Sequence, residues 1–436
     1  MSTLTTMKEK TRQLKLDSPK LAALSEDIRN AALLAVAQAL EAHKEEIFAA
    51  NQKDLKKAEE DNLDMPVRKR LKFDEAKLAG VIDGIRQLVA LPDPLGKNLM
   101  VRELDEGLTL YRQSCPIGVI GVIFESRPDA LVQIATLCIK SGNCAILKGG
   151  SEAMNSNGIL FETIYNAAVA AGLPKGCMTL AQQREEIREL LDCYESVDLL
   201  IPRGSNAFVQ YIMNNTKIPV MGHADGICHV YVDKAADLQK AIRIVVDSKT
   251  QYVSVCNATE TLLVHRDILK EFMPALSEAL RKKNVELRAT KEVRDASGAY
   301  ANEMLDATEE DFSTEYLDYI LSIKEVSSVE EAIDHINRYG SHHTDAIVTE
   351  DAQTAQEFMQ LVDSAGVFWN ASTRFSDGYR YGFGAEVGIS TGKLHARGPV
   401  GLEGLVTYKY KLIGDGHIVD DYSTGVKQFH HKDLIS

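Results

Sequence analysis

The sequence predicts an α/β protein of two tandem units with parallel sheets, joined by a small β element. Three observations carry this. Short apolar, β-branched runs alternate with longer stretches of helical period; the alternation runs from about residue 116, and resumes after 233; and strand-like hairpin pattern is confined to 99–114 and the tail. At 436 residues the chain exceeds one ordinary hydrophobic core, in keeping with two or three packed units.

Taken in order, residues 1 to about 90 read as helical, with Leu21, Ala22, Ile28, Ala32, Leu33, Val36 and Leu40 spaced for one buried face. Pro92, Pro94 and Gly96 break that pattern. VRELDEGLTLYRQS alternates around a central Glu-Gly and predicts a hairpin over 99–114. The all-apolar GVIGVIF at 118–124 suits a strand buried on both faces, followed by a helix at 128–141 and a buried strand at 144–148. Helices at about 152–171, 185–195 and 206–215 then alternate with short runs at 178–180, 199–202 and 219–221. After 233 come a helix at 237–247, a strand at 260–264, a helix at 268–282 and a strand at 285–289. A run at 319–323, a helix at 329–336, a strand at 345–348 and a helix at 352–362 complete the series. The tail carries one more strand-like run, LVTYKYKLIG at 405–414. The two α/β units meet near residue 234.

Composition narrows the function. A formal net charge of −14 opposes nucleic acid and anionic membrane surfaces. Seven cysteines with no CxxC pair show neither disulfide nor zinc spacing, so a reducing compartment and no metal are expected. The pairs His342–His343 and His430–His431 lack a ligand pattern and read as surface histidines. The first residues have no apolar signal region and no segment is long enough to span a bilayer, so the expected location is cytoplasmic.

The most informative segment is QYVSVCNATETLLVH, 251–265. Cys256, among small and polar residues, precedes a β-branched run, which puts a thiol on a loop beside a strand. Cysteine is intrinsically nucleophilic, and Asn257 with nearby backbone N–H groups could hold an oxyanion. A small buried core residue is the other reading, and on the local pattern alone both stand. Two loops point to an anionic ligand. Lys148-Gly149-Gly150-Ser151-Glu152 and Pro202-Arg203-Gly204-Ser205-Asn206 each follow a strand and open a helix, where glycine admits close backbone approach and the helix start favours negative charge. The Gly-x-Gly-x-x-Gly fingerprint is absent, and either loop alone reads as a helix cap.

IFESRPDAL (123–131), AILKGGSEA (145–153), DLLIPRGSN (198–206), VCNATETLLVH (255–265), NASTRFSDG (370–378) and GFGAEVGISTGKLHARGPVGLEGL (382–405) carry a resemblance to the aldehyde dehydrogenase superfamily. Within it, the chain is similar to the acyl phosphate reductases of proline biosynthesis. The resemblance implies Cys256 as nucleophile and NADP(H) as cofactor. It puts Lys148, Gly150, Ser151 and Glu152 on the adenosine ribose, Gly204 and Ser205 along the pyrophosphate, and Glu315 on the nicotinamide ribose. It also implies that Cys256 attacks L-glutamyl 5-phosphate, that phosphate leaves, and that hydride reduces the thioester to the semialdehyde. The units become 1–98 with 115–234 for NADP, 235–396 for the cysteine, and 99–114 with 397–436 for pairing subunits in a homo-oligomer. Relatives that carry a kinase domain carry it ahead of this region, so a separate glutamate 5-kinase is expected.

Hydrolytic members use a glutamate in a Glu-Leu-Gly-Gly stretch to activate water; here the place reads His223-Ala224-Asp225-Gly226. Its loss suits a thioester that must outlast attack by water. His223 is a candidate for proton exchange at the thiohemiacetal, or a structural residue. Arg127, Arg374 and Arg397 are candidates for the substrate's phosphate or carboxylate, and Glu386 for its ammonium. Each is equally readable as an ion pair or loop brace. The rivals are a superfamily member acting on another small semialdehyde, and a nucleotide-binding scaffold without catalysis.

Overall fold

The computed structural model describes residues 6–435 except Arg184 and Ala224. The chain divides into two compact units, Met1–Met221 with Phe383–Gly388 and Val400–Ser436, and Gly222–Gly382 with Ile389–Pro399. The division lies before residue 222 rather than near 234. Its cause is a strand unnoticed in the sequence, Cys228–Val232, which pairs with Thr259–His265 and Thr344–Val348 and so belongs with the later strands.

The first unit opens with five helices, Met7–Ala22, Glu26–Ala42, Lys44–Glu60, Met65–Leu71 and Glu75–Ala90. The first starts at a capping box, in which Thr6 accepts from the Glu9 N–H and the Glu9 carboxylate accepts from the Thr6 N–H. Ser25 and Asp74 cap the second and fifth. Leu33, Val36 and Leu40 are fully buried along one face, as the helical spacing requires, whereas Ile28 is exposed. The parallel sheet of this unit runs in the order Met178–Ala181, Cys144–Lys148, Val119–Phe124, Leu199–Arg203. Every residue of Val119–Phe124 and Cys144–Lys148 is buried, and each such aliphatic side chain contributes about 1.5–3 kcal/mol. The run at 219–221 forms no strand; it makes a single bridge between Leu200 and Val220.

The hairpin forms as expected, with Asn98–Asp105 and Leu108–Pro116 turning at Glu106-Gly107, where Gly107 takes φ +74°. The tail strand Val406–Ile413 pairs antiparallel with the hairpin's second strand, and Lys432–Asp433 closes the other side.

The second unit holds a seven-stranded sheet, all parallel. Its order is Leu305–Asp306, Glu286–Ala289, Ile320–Val326, Thr259–His265, Cys228–Val232, Thr344–Val348, Gly366–Trp369. Helices Leu238–Thr250, Leu269–Arg281, Val329–Tyr339 and Ala352–Leu361 cover it. No helix among the described residues is long and apolar enough to cross a membrane.

Candidate active site

Three adjacent parallel strands of the second unit, Thr259–His265, Cys228–Val232 and Thr344–Val348, all begin at one end of the sheet. The segments that lead into them therefore meet. Cys256 comes three residues before the first strand, Gly226 two before the second, and His343 immediately before the third.

Asp237 caps the helix Leu238–Thr250, accepting from the N–H groups of Gln239 and Lys240, and the chain leaves that helix through the loop carrying Cys256. The loop tightens where the Ala258 N–H donates to the Val255 carbonyl at 3.1 Å. Cys256 is half-buried, and its Sγ lies 3.2 Å from His343 Nε2. His343 is fully buried, and its Nδ1 lies 2.9 Å from Thr344 Oγ1. The expectation of a surface histidine at 343 was wrong, because the interior strand that follows anchors this residue at its buried N-terminal end. His342 is half-buried, with its ring nitrogen on the Asp363 carbonyl. His430 and His431 are exposed as expected.

His223 stands beside His343, ring centroids 5.0 Å apart at 77°, and its Nδ1 meets the Ile389 carbonyl at 3.0 Å. Its neighbour Ala224 lies outside the described residues. Gly226 passes so close to Cys256 that a Cβ would come within 2.2 Å of the Cys256 carbonyl oxygen and 2.5 Å of its Cβ. Only glycine fits there without moving the thiol. Cys228 donates its S–H to the Cys256 carbonyl at 3.2 Å, and burial pushes its own thiol far above the ordinary range.

The 370–378 segment braces the same loop. Asn257 is buried and donates an amide N–H to the Ser376 carbonyl at 2.8 Å, and Thr373 Oγ1 donates to the Asn257 carbonyl at 2.7 Å. Arg374 is buried, with Nε on Gln251 Oε1 at 3.0 Å. Burial first, and then Arg380, lower its guanidinium below the usual range, against the opposing pull of Asp377 and Cys256. Arg397 donates to Asp363 and to the Thr391 carbonyl, a loop brace.

A buried ion pair ties the loop's two ends, and sequence reasoning missed it. Lys249 Nζ, at the end of the helix, meets Glu260 Oε2 at 2.5 Å, both side chains fully buried. Burial raises Glu260 to about 7, with Lys249 pulling it back, and burial lowers Lys249. The signal was a carboxylate inside the strand-like run TETLLV, which demands a partner once buried. Glu315 is half-buried and near enough to Glu260 to raise its pKa further.

In the first unit, the sheet order reverses between Val119–Phe124 and Leu199–Arg203, and open α/β sheets take ligands at such a point beyond the strands' C-terminal ends. The loops there carry Arg127, exposed at a helix start, and Gly204, where a Cβ would come within 2.9 Å of the Glu125 carboxylate. Ser151 and Ser205 are exposed at the starts of their helical turns; the Ser205 side chain makes no capping bond, and the Gly150 carbonyl accepts from the Ala153 N–H at 3.2 Å. Lys148 is buried, its Nζ on the Gly149 carbonyl at 2.6 Å, and burial lowers its pKa. Glu152 is engaged locally, accepting from the N–H and Oγ of Ser126, both at 2.6 Å. Glu386 is half-buried, and its carbonyl accepts from Arg203 at 3.4 Å.

Residues 6–311 match the aldehyde dehydrogenase family. The chain is 60% identical to the gamma-glutamyl phosphate reductase of Ruminiclostridium cellulolyticum, over 95% of each chain. It is 58% identical to that of Acetivibrio thermocellus, over 97% of each. The crystal structure of gamma-glutamyl phosphate reductase from Thermotoga maritima superposes with a TM-score of 0.91 at 38% identity, covering 94% of this chain and 99% of that one. With this fold and a thiol set on an imidazole, the chain belongs to the aldehyde dehydrogenase family and, within it, to the gamma-glutamyl phosphate reductases.

Proposed function

We propose that this protein reduces L-glutamyl 5-phosphate to L-glutamate 5-semialdehyde and phosphate with NADPH, through a thioester on Cys256, in proline biosynthesis. The observation that carries the chemistry is the 3.2 Å contact between Cys256 Sγ and His343 Nε2. An imidazole at that distance takes the thiol proton as sulfur attacks the acyl carbon, and the acyl C–O bond breaks to release phosphate. Phosphate is a good leaving group and needs no strong acid from the protein. Bound NADPH supplies the hydride that reduces the thioester. His343, protonated in the first step, gives that proton to sulfur as the thiohemiacetal oxyanion re-forms the C=O bond and the C–S bond breaks.

The second N–H of the Asn257 amide and the loop's backbone amides are our candidates for holding the oxyanion. Arg374 is the candidate for the substrate's anionic groups that best fits the cysteine's surroundings. His223 steadies or exchanges protons beside His343. Arg127 and Glu386 remain substrate candidates, and Glu315 a candidate for the nicotinamide ribose. For the cofactor's phosphates, Gly150, Ser151, Gly204 and Ser205 at the two helix starts remain our candidates, with Lys148 as the nearby cation; the Glu152 and Glu125 carboxylates lie against the two glycines and must turn away to admit an anionic group. The engagement of Glu152 with Ser126 favours a role for Glu152 in shaping that loop. The test is the reverse reaction: semialdehyde with NADP⁺ should turn over only when inorganic phosphate is present. Equal turnover without phosphate would defeat the reading.

The same reading includes a cytoplasmic location, consistent with seven free thiols, and a separate kinase that makes the acyl phosphate. It also includes pairing with a second copy. The strand Val406–Ile413 lies at the edge of its sheet and exposes Tyr408, Tyr410, Leu412 and Ile413. Leu412→Lys with Ile413→Lys should lower the sedimenting mass; an unchanged mass would exclude this edge as the contact.

A further inference from the structure

We propose that His223, Cys256 and His343 form a binding site for a thiophilic divalent cation, Zn²⁺ foremost, which holds the nucleophile as a metal thiolate. One ligand atom from each residue lies within 4.8 Å of the other two. Zinc bonds of about 2.3 Å to sulfur and about 2.0–2.1 Å to nitrogen require tetrahedral donors roughly 3.3–3.6 Å apart. The Cys256–His343 pair, at 3.2 Å, is already close to that spacing.

The surroundings of the two imidazoles point the same way. His223 Nδ1 is on the Ile389 carbonyl at 3.0 Å and His343 Nδ1 on Thr344 Oγ1 at 2.9 Å. Histidines that ligate metals characteristically donate their other N–H to such an oxygen, which fixes the ring and puts the lone pair on Nε2. One sulfur and two nitrogens, with no carboxylate among them, select zinc over magnesium or calcium. Three protein ligands leave a fourth position for water. His223 and Cys256 are both half-buried, so an ion can reach them from solvent.

Binding breaks the Cys256 S–H bond, forms an S–Zn bond and releases the proton to solvent, with no change of oxidation state. A sulfur so bonded is withheld from the acyl carbon, so the ion inhibits any thiol chemistry at this residue. The site rests on the ligand triad alone and holds whatever the substrate is.

The purified protein would be titrated with Zn²⁺ alone and, separately, Co²⁺ alone. Saturation at one ion per chain is expected, with a tetrahedral cobalt spectrum and a thiolate-to-cobalt charge-transfer band. Cys256→Ser, a near-isosteric change, should abolish the band and weaken Zn²⁺ by more than about 100-fold, since losing even a supporting partner costs about 10–100-fold. His223→Asn, at a half-buried position, should weaken Zn²⁺ by at least about 10-fold while keeping the band. Absence of the band in the unaltered protein, or equal affinity in Cys256→Ser, would overturn the proposal and assign the ion to exposed histidines such as His430 and His431. A normal titration with failed phosphate-dependent turnover would defeat only the reductase reading; the reverse would defeat only this one.

Discussion

At the scale of single residues, the proposed chemistry rests on a thiol and an imidazole 87 positions apart in the chain. The place of Cys256 on a loop beside a strand was legible, because small polar residues precede a β-branched run, but that pattern left a buried core cysteine equally open and the resemblance alone implied a nucleophile. His343 was not, because its partner is decided by which strands are neighbours, and no spacing in the sequence encodes that order. Gly226 is a similar case: its need to be glycine comes from the Cys256 backbone pressed against it. We predict that His343→Gln lowers kcat by about 10²–10³-fold with little change in KM, the size expected for losing a positioned proton acceptor. The alkylation rate of Cys256 should fall in parallel. Steady-state kinetics showing an unchanged kcat would remove His343 from the reaction.

At the scale of elements, most helices and strands follow their periodicity within a few residues. The helix expected at 128–141 runs Pro128–Lys140, and the strand at 144–148 is Cys144–Lys148. Misses have physical causes. Cys228–Val232, CHVYV, mixes a thiol, an imidazole and a phenol into a buried strand, so hydropathy alone does not mark it. Gly366–Trp369 is a four-residue edge strand too short to show alternation. The clasp between Lys249 and Glu260 was hidden for the same reason as His343, since helix end and strand start meet only in the fold. Removing one partner leaves a buried charge, so Lys249→Met should cost about 3–5 kcal/mol in urea unfolding. Lys249→Met with Glu260→Leu should recover most of that loss, because both desolvated charges are gone. A single variant as stable as the parent would mean that the pair does not hold the loop.

At the scale of the whole molecule, each unit contains a parallel α/β layer with its own candidate site, and the first adds the antiparallel hairpin sheet. The strand–helix rhythm and the two glycine loops made this organisation readable. The boundary was misplaced because one strand went unseen. With a net charge of −14, the proposed anionic substrate and cofactor would be held by local groups, for which Arg374, Lys148 and helix starts are our candidates, rather than by the overall field. The absence of the water-activating glutamate gives the central claim its sharpest consequence: the acyl group should stay on sulfur until phosphate or hydride removes it. Protein quenched after reaction with semialdehyde and NADP⁺, without phosphate, would be digested and examined by mass spectrometry. The account predicts a glutamyl thioester on the Cys256 peptide that disappears when phosphate is added; a peptide that stays unmodified while NADPH forms, or an adduct on another residue, would contradict it.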